Sequence, residues 1–379
     1  MIGLTGLVEE HPNAVFVRRA RAASFEDREA FHEAGYAMAE ALLASSGGAD
    51  GRTFVLKPNV VVGSQHRDIP DGKPAPSDQG IVTDPDFVGG IVRRLQELGA
   101  RKIFVAEGGG PTPMGPTFEE RGYVRMARER GIELLDFNKE PGTYAVHELN
   151  WTPVDGMVFS SIPFIRPVND PDAVFINVPT MKTHNLGVIS LCGKALQGTI
   201  AMGYRHFCSS IQGAIDKMPG SGAHYQPDFL ERIQQGYERH LRTGYSRWDQ
   251  EGTRYEEYAQ RTCDAVQAHQ GFLNVVEGVI GRDGTAFHQG KDVLCNLTVA
   301  GLSPVSVDAV TAYLMGHNPQ KIGYLAVASE RGLGEIDPTR IPVFLLTEDG
   351  PVECHHPDEV GRVELGVYWR GDNSRYVFF

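Results

Sequence analysis

Apolar positions along the chain follow two alternating rhythms. Short β-branched or aromatic runs give way to stretches with an apolar residue every third or fourth position, the pattern of strands separated by amphipathic crossover helices. The clearest unit runs from Thr83 to Phe137. Phe87, Val88, Ile91, Val92, Leu95 and Leu98 line one face of a helix. Thr83 or Asp84 can cap it, Pro85 suits its first turn and Gly99 stops it. Ile103 to Ala106 then reads as a buried strand. Thr117 with Glu120 has the capping-box spacing for a second helix ending near Gly131, before a strand from Ile132 to Phe137.

The same rhythm predicts strands over Phe54 to Leu56, Ala173 to Val178, Phe272 to Val276 and Pro342 to Leu346. Ser303-Pro304 and Asn318-Pro319 open two late helices. Helices long enough to cross over between strands predict an α/β fold with a mostly parallel central sheet. Residues 205–270 differ, being polar and helical with Tyr237, Tyr245, Trp248, Tyr255 and Tyr258. They read as an inserted helical subdomain, a lid or a homo-oligomer surface, between core segments 1–204 and 271–379.

Composition narrows the function. Asp and Glu number 48 against 36 Lys and Arg, a net charge of −12, which argues against nucleic acid as a partner. No apolar run is long enough to span a bilayer, and the first residues lack the basic-then-apolar order of a signal peptide. The expectation is a cytoplasmic protein with no membrane partner. Cys192, Cys208, Cys263, Cys295 and Cys354 are odd in number and form no CxxC pair, so no iron–sulfur motif is present. Small buried hydrophobes are their simplest reading, with Cys192 the best placed for a thiolate.

In open α/β sheets ligands bind outside the carboxyl ends of strands, so polar residues following strand runs are the first candidates. Lys57 and Asn59 follow one strand, and Glu107 with Gly108, Gly109 and Gly110 follow another. Lys182 to His184 follow the third, and Glu277-Gly278 the fourth. Lys57, Asn59, Lys194 and the glycine amides would hold an anion, because amides without a Cβ nearby can approach one closely. Lys182 and His184 would move protons, with Glu107 or Glu277 orienting them. The glycine run fits neither GxGxxG nor GxxxxGK[ST], so no nucleotide motif is present.

Other assignments compete. His184, His206, Glu107, Glu277 and Asp308 can supply a divalent metal from separate segments, with Glu107, His184 and Asp308 the leading set, although no metal spacing is present. Asp308 also suits the opening turns of its own helix. Arg166 and Arg205 can clamp a carboxylate or simply be solvated charges.

Lys57-Pro58-Asn59, Thr83 with Pro85 before a helix ending in Leu98-Gly99-Ala100, and the Glu107 glycine loop recur in one order with later segments. Those are Pro179, Lys182, His184 and Lys194, then Glu277-Gly278, then Pro304 through Asp308 to Val310. Together they resemble the domain of unknown function 362 (DUF362) family, a bacterial and archaeal group without one agreed activity, over Lys57 to Gly316. Some members carry ferredoxin-like cysteine clusters, which this sequence lacks, so no redox role is carried over. The resulting expectation is an isomerase-, lyase- or cyclase-type enzyme doing acid/base chemistry on a small anionic metabolite. The alternatives are a divalent-metal-binding protein and a noncatalytic ligand-binding or assembly protein.

Overall fold

The structure, a computed structural model, describes all residues except 1, 46–51, 62–77, 110–112, 206, 207, 209–223, 272, 286–288, 370 and 371. Gly110, His206 and Phe272 therefore lie outside the described residues. Among the described residues the central sheet has eleven strands. In chain order they are β1 (Val15–Arg19), β2 (Thr53–Pro58), β3 (Lys102–Glu107), β4 (Glu133–Asp136), β5 (Ala173–Val178) and β6 (Thr180–His184). β7 (Val188–Ser190), β8 (Leu273–Arg282), β9 (Asp292–Gly301), β10 (Val343–Thr347) and β11 (Gly350–Cys354) follow. Their spatial order is β11-β10-β1-β9-β8-β5-β2-β3-β4, with β6 pairing β8 and β7 off this path. β4, β3, β2, β5 and β8 run parallel, so their carboxyl ends share one edge.

Both faces of the sheet are covered, and the period-two alternation of strand side chains shows it. Phe16, Phe54 and Leu56 join one core, with α1 (Arg28–Leu42), α2 (Pro85–Glu97), α3 (Gly115–Glu120) and α4 (Tyr123–Arg130) packed there. Val15, Val17 and Val55 point to the opposite face. That face carries α5 (Cys192–Ala195), α6 (Phe229–His240), α7 (Thr253–Ala268), α8 (Pro304–Leu314) and α9 (Gly323–Glu330). The α/β class and mostly parallel sheet expected from the sequence are what the chain forms.

Local differences have clear causes. Asp84, not Thr83, caps α2, accepting from Asp86 N at 2.8 Å and Phe87 N at 3.3 Å. Thr83 instead donates from Oγ1 to Val178 O and accepts from Asn59 N, tying the ends of β2 and β5. No Thr117–Glu120 capping box forms, because Thr117 is already inside α3; Gly122, at φ 80°, separates α3 from α4. The strand expected to end at Val276 runs on to Arg282, so Glu277 and Gly278 lie within β8. Lys182 and His184 are likewise in a strand of their own, turned away from β5 at Pro179.

Of the aromatic residues in this segment, Trp248, Tyr255 and Tyr258 are buried, while Tyr237 and Tyr245 are half-buried. Every residue of α7 from Tyr255 to Ala265 is buried, as is Trp248, because the segment packs against α6, α9 and the sheet face. Trp248, Tyr255 and Tyr258 are thus occupied within the chain and not displayed to a second copy. Among the described residues no helix is long and apolar enough to cross a membrane.

Candidate functional site

The carboxyl ends of β2 and β3 lie side by side, with Leu56 opposite Val105. Alternation sends Lys57 to the same face as Val55, away from the core that holds Leu56. There its ammonium meets Glu107 Oε1 at 2.9 Å and Pro58 O at 3.0 Å, and both side chains are 1% exposed. Glu107 also accepts from Gly108 N at 2.7 Å and Val60 N at 2.8 Å. One carboxylate therefore joins both strand ends and neutralises one lysine. Burial lowers the Lys57 pKa, and Glu107 opposes that shift. Glu107 and the Gly108 amide are thus already committed to each other, and Lys57 serves the carboxylate before any outside anion.

A turn over Leu196–Thr199 closes this pair from above. A Cβ on Gly198 would lie 2.6 Å from Glu107 Oε1 and 2.8 Å from Lys57 Nζ. Gly108 is as tightly enclosed, its added Cβ falling 2.4 Å from both Gly198 O and the Arg205 guanidinium. Gly198→Ala should therefore destabilise the protein by about 1–3 kcal/mol through overpacking, read as a lowered urea midpoint at unchanged m-value. Neither glycine's role is legible in the sequence, since it depends on which chains cross overhead.

Lys182 is 1% exposed and lies within β6, opposite Ser190 of β7 and Arg282 of β8. Its ammonium donates to Asn59 Oδ1 at 2.7 Å and Ile81 O at 2.5 Å, which also commits the Asn59 oxygen. Burial holds its pKa well below the usual lysine value, and the neighbouring Lys194 charge pushes it further down. Lys194, on α5, is half-buried, and no hydrogen bond or ion pair holds it among the described residues. Its charge reaches Lys57, Lys182 and His184. Glu107, the carboxylate that acts on both Lys57 and Lys182, is already bonded to Lys57.

His184, 3% exposed, has its ring orientation fixed by backbone. Nδ1 accepts from Leu186 N at 3.0 Å and Gly187 N at 3.2 Å. Two N–H groups aimed at one ring nitrogen require that nitrogen to be unprotonated, which leaves the proton of the neutral ring on Nε2. Nε2 faces Cys208 Sγ at 3.6 Å. Burial first, then Lys194 and Lys182, hold the His184 pKa well below its ordinary value.

Glu277 stands apart from the lysines. Its oxygens accept from Ile280 N at 3.1 Å and Thr180 Oγ1 at 3.4 Å, and the Asp84 and Val279 amides also bond it. Desolvation chiefly, then the Asp84 carboxyl, push its pKa up to about 8. It braces the Gly80 to Asp84 segment, whose Ile81 carbonyl receives Lys182.

Asp308 does not serve its own helix. It accepts from Cys192 N at 2.7 Å and Gly193 N at 2.9 Å and bonds the Tyr324 hydroxyl, so it caps α5 and fixes the base of Lys194. Glu107, His184 and Asp308 do not gather as a metal set. Among the described residues no three His, Cys, Asp or Glu side chains do, and His184 Nδ1 and the oxygens of Glu107 and Asp308 face N–H and O–H groups. Cys192 is wholly buried beside Asp308, and burial raises its pKa well above the ordinary thiol value, the opposite of a reactive thiolate.

The two arginines separate. Arg166 is exposed and paired with Asp170 at 2.6 Å, an ordinary surface charge. Arg205 is buried beside Gly108, donating to Asn138 Oδ1 at 2.5 Å and Ile200 O at 2.8 Å, with its pKa lowered to about 10 by burial. Asn138 escaped the sequence reading, although it follows the β4 strand just as the chosen residues follow theirs. Gly109 lies against Val61 and Glu107.

Fold and site together define an α/β protein whose parallel strand ends carry Lys57, Lys182 and Lys194, with Glu107 bonded to Lys57. The chain belongs to the domain of unknown function (DUF362) family, whose model matches residues 55–313. A crystal structure of a protein from Thermotoga maritima is similar at 10% identity and a TM-score of 0.35, covering 67% of this chain. The match spans 50% of that protein's length. No curated protein matches.

Proposed function

We propose that this protein is an enzyme that transfers protons on a small metabolite bearing a carboxylate or phosphate. The observation that carries the reading is Lys182, buried with polar partners only and set beside Lys194, which has no counter-ion among the described residues. A desolvated amine near a second cation is the usual device for making lysine a base at neutral pH. Lys194 then holds the anion, while Lys57, Asn59 and Glu107 position the amine and the strand ends. An acidic protein that keeps surplus cations at its strand ends has reason to concentrate an anion there.

The test uses two variants and two readouts. Lys194→Met should weaken calorimetric binding of oxalate or inorganic phosphate at least about tenfold, at an unchanged thermal midpoint. Lys182→Met should keep much of that binding yet stop deuterium uptake from D2O into small 2-oxo carboxylates. It should also lose no more than about 1–3 kcal/mol of stability, since only Asn59 Oδ1 and Ile81 O lose a donor. Unchanged exchange in a folded Lys182→Met protein would remove Lys182 as the base.

A further inference from the structure

The backbone at Leu186 and Gly187 decides what His184 can do. Because Nδ1 accepts two amide hydrogens, at 3.0 and 3.2 Å, protonating it would set a third hydrogen against both. The ring is therefore locked as an Nε2–H donor across the physiological range and is unsuited to shuttling a proton. We propose that His184 is the site's neutral electrophile. On this assignment the ligand is a carbonyl-bearing anion, such as a 2-oxo carboxylate, whose carbonyl oxygen accepts Nε2–H while its anionic group meets Lys194.

Three observations support this placement. Among the described residues Nε2–H faces only the Cys208 sulfur at 3.6 Å, a weak acceptor that a carbonyl or enolate oxygen would outcompete. The Tyr258 hydroxyl, 0% exposed and without a hydrogen-bond partner among the described residues, lies against Gly187 and within electrostatic reach of Cys208. It offers a second donor to the same region. The Lys194 charge acts on both His184 and Lys182, lowering the pKa of each.

The chemistry balances without a co-reactant. The Lys182 amine takes a proton from the carbon next to the carbonyl, and the C–H electron pair moves into the C–C bond. The carbonyl pair moves onto the oxygen held by Nε2–H, and the ammonium then returns a proton to the enolate. Neutral imidazole suits an enolate, whereas imidazolium would be a needlessly strong acid in a site already rich in cations.

The inference rests on the proton-transfer reading, and the experiment separates the two. In 15N-labelled full-length protein the His184 signals, assigned by their loss in a His184→Gln sample, should show bare Nδ1 and protonated Nε2 unchanged from about pH 5.5 to 9. Deuterium exchange into 2-oxobutyrate should then fall at least about 100-fold in His184→Asn, which keeps an acceptor at the Nδ1 place but has no N–H at the Nε2 place. His184→Gln, which places an amide N–H near Nε2, should retain at least about tenfold more exchange than His184→Asn.

A purely structural histidine would reverse that order, because His184→Asn preserves the loop contact, and this result overturns the inference. So does titration of His184 within that range, or equal loss in two folded variants. If the wild-type protein exchanges no deuterium although the tautomer is as stated, the proton-transfer reading itself fails, and the electrophile role falls with it.

Discussion

Glu107→Ala should lower the unfolding free energy by about 3–5 kcal/mol, because it strands the Lys57 ammonium in a site where both partners are 1% exposed. It also orphans the amides of Val60 and Gly108, so the strand ends of β2 and β3 lose their shared tether. Urea unfolding of Glu107→Ala, Lys57→Met and the double variant checks this. The double variant should recover at least about 2 kcal/mol relative to the sum of the single losses, since removing both charges leaves no uncompensated ion. Additive losses would mean that Lys57 is already neutral in the folded protein. A structural tether also predicts that Glu107→Gln, which keeps one oxygen for Val60 or Gly108, loses less than Glu107→Ala.

Glu277→Gln should become progressively more stable than the wild-type protein as pH rises. The folded carboxyl is pushed from 4.5 up to about 8, chiefly by burial and then by Asp84, so the fold holds its proton where the unfolded chain releases it. A raised folded pKa gives stability that is complete below the unfolded value and is lost as pH climbs through the folded one. The window is therefore about pH 4.5 to 8, and the full displacement corresponds to on the order of 4–5 kcal/mol. Comparing variant with wild type removes the opposite trends of Lys182 and His184, whose lowered pKa values add stability with rising pH. Urea titrations at about pH 5, 7 and 9 measure the difference. A wild-type protein that gains on the variant with pH would show that the amides bonded to Glu277 keep it ionised in the fold.

The strand and helix alternation, the Asp84 and Ser303 helix starts and the placement of Lys57 and Glu107 at strand ends were legible in the sequence. They depend on local periodicity and on side chains acting within a turn of their own backbone. The expectation that Lys57, Glu107, Lys182, His184 and Glu277 meet rested on one further rule, that parallel strands bring their carboxyl ends to a common edge. The proportion of burial, the partner of each charge and the tautomer of His184 did not follow. Glu277 was expected at a strand end and lies inside β8, because a strand covered on both faces gives no signal for where pairing stops. Asp308, read as a metal candidate or as suited to its own helix, caps another, and Trp248, Tyr255 and Tyr258 of the segment read as a lid or an oligomer surface are buried in the core. These outcomes depend on which distant backbone arrives beside a side chain, here Cys192-Gly193 against Asp308 and Gly198 over Lys57. Sequence spacing fixes which residues reach the sheet edge. Tertiary packing alone decides which hydrogen bonds they have left to give.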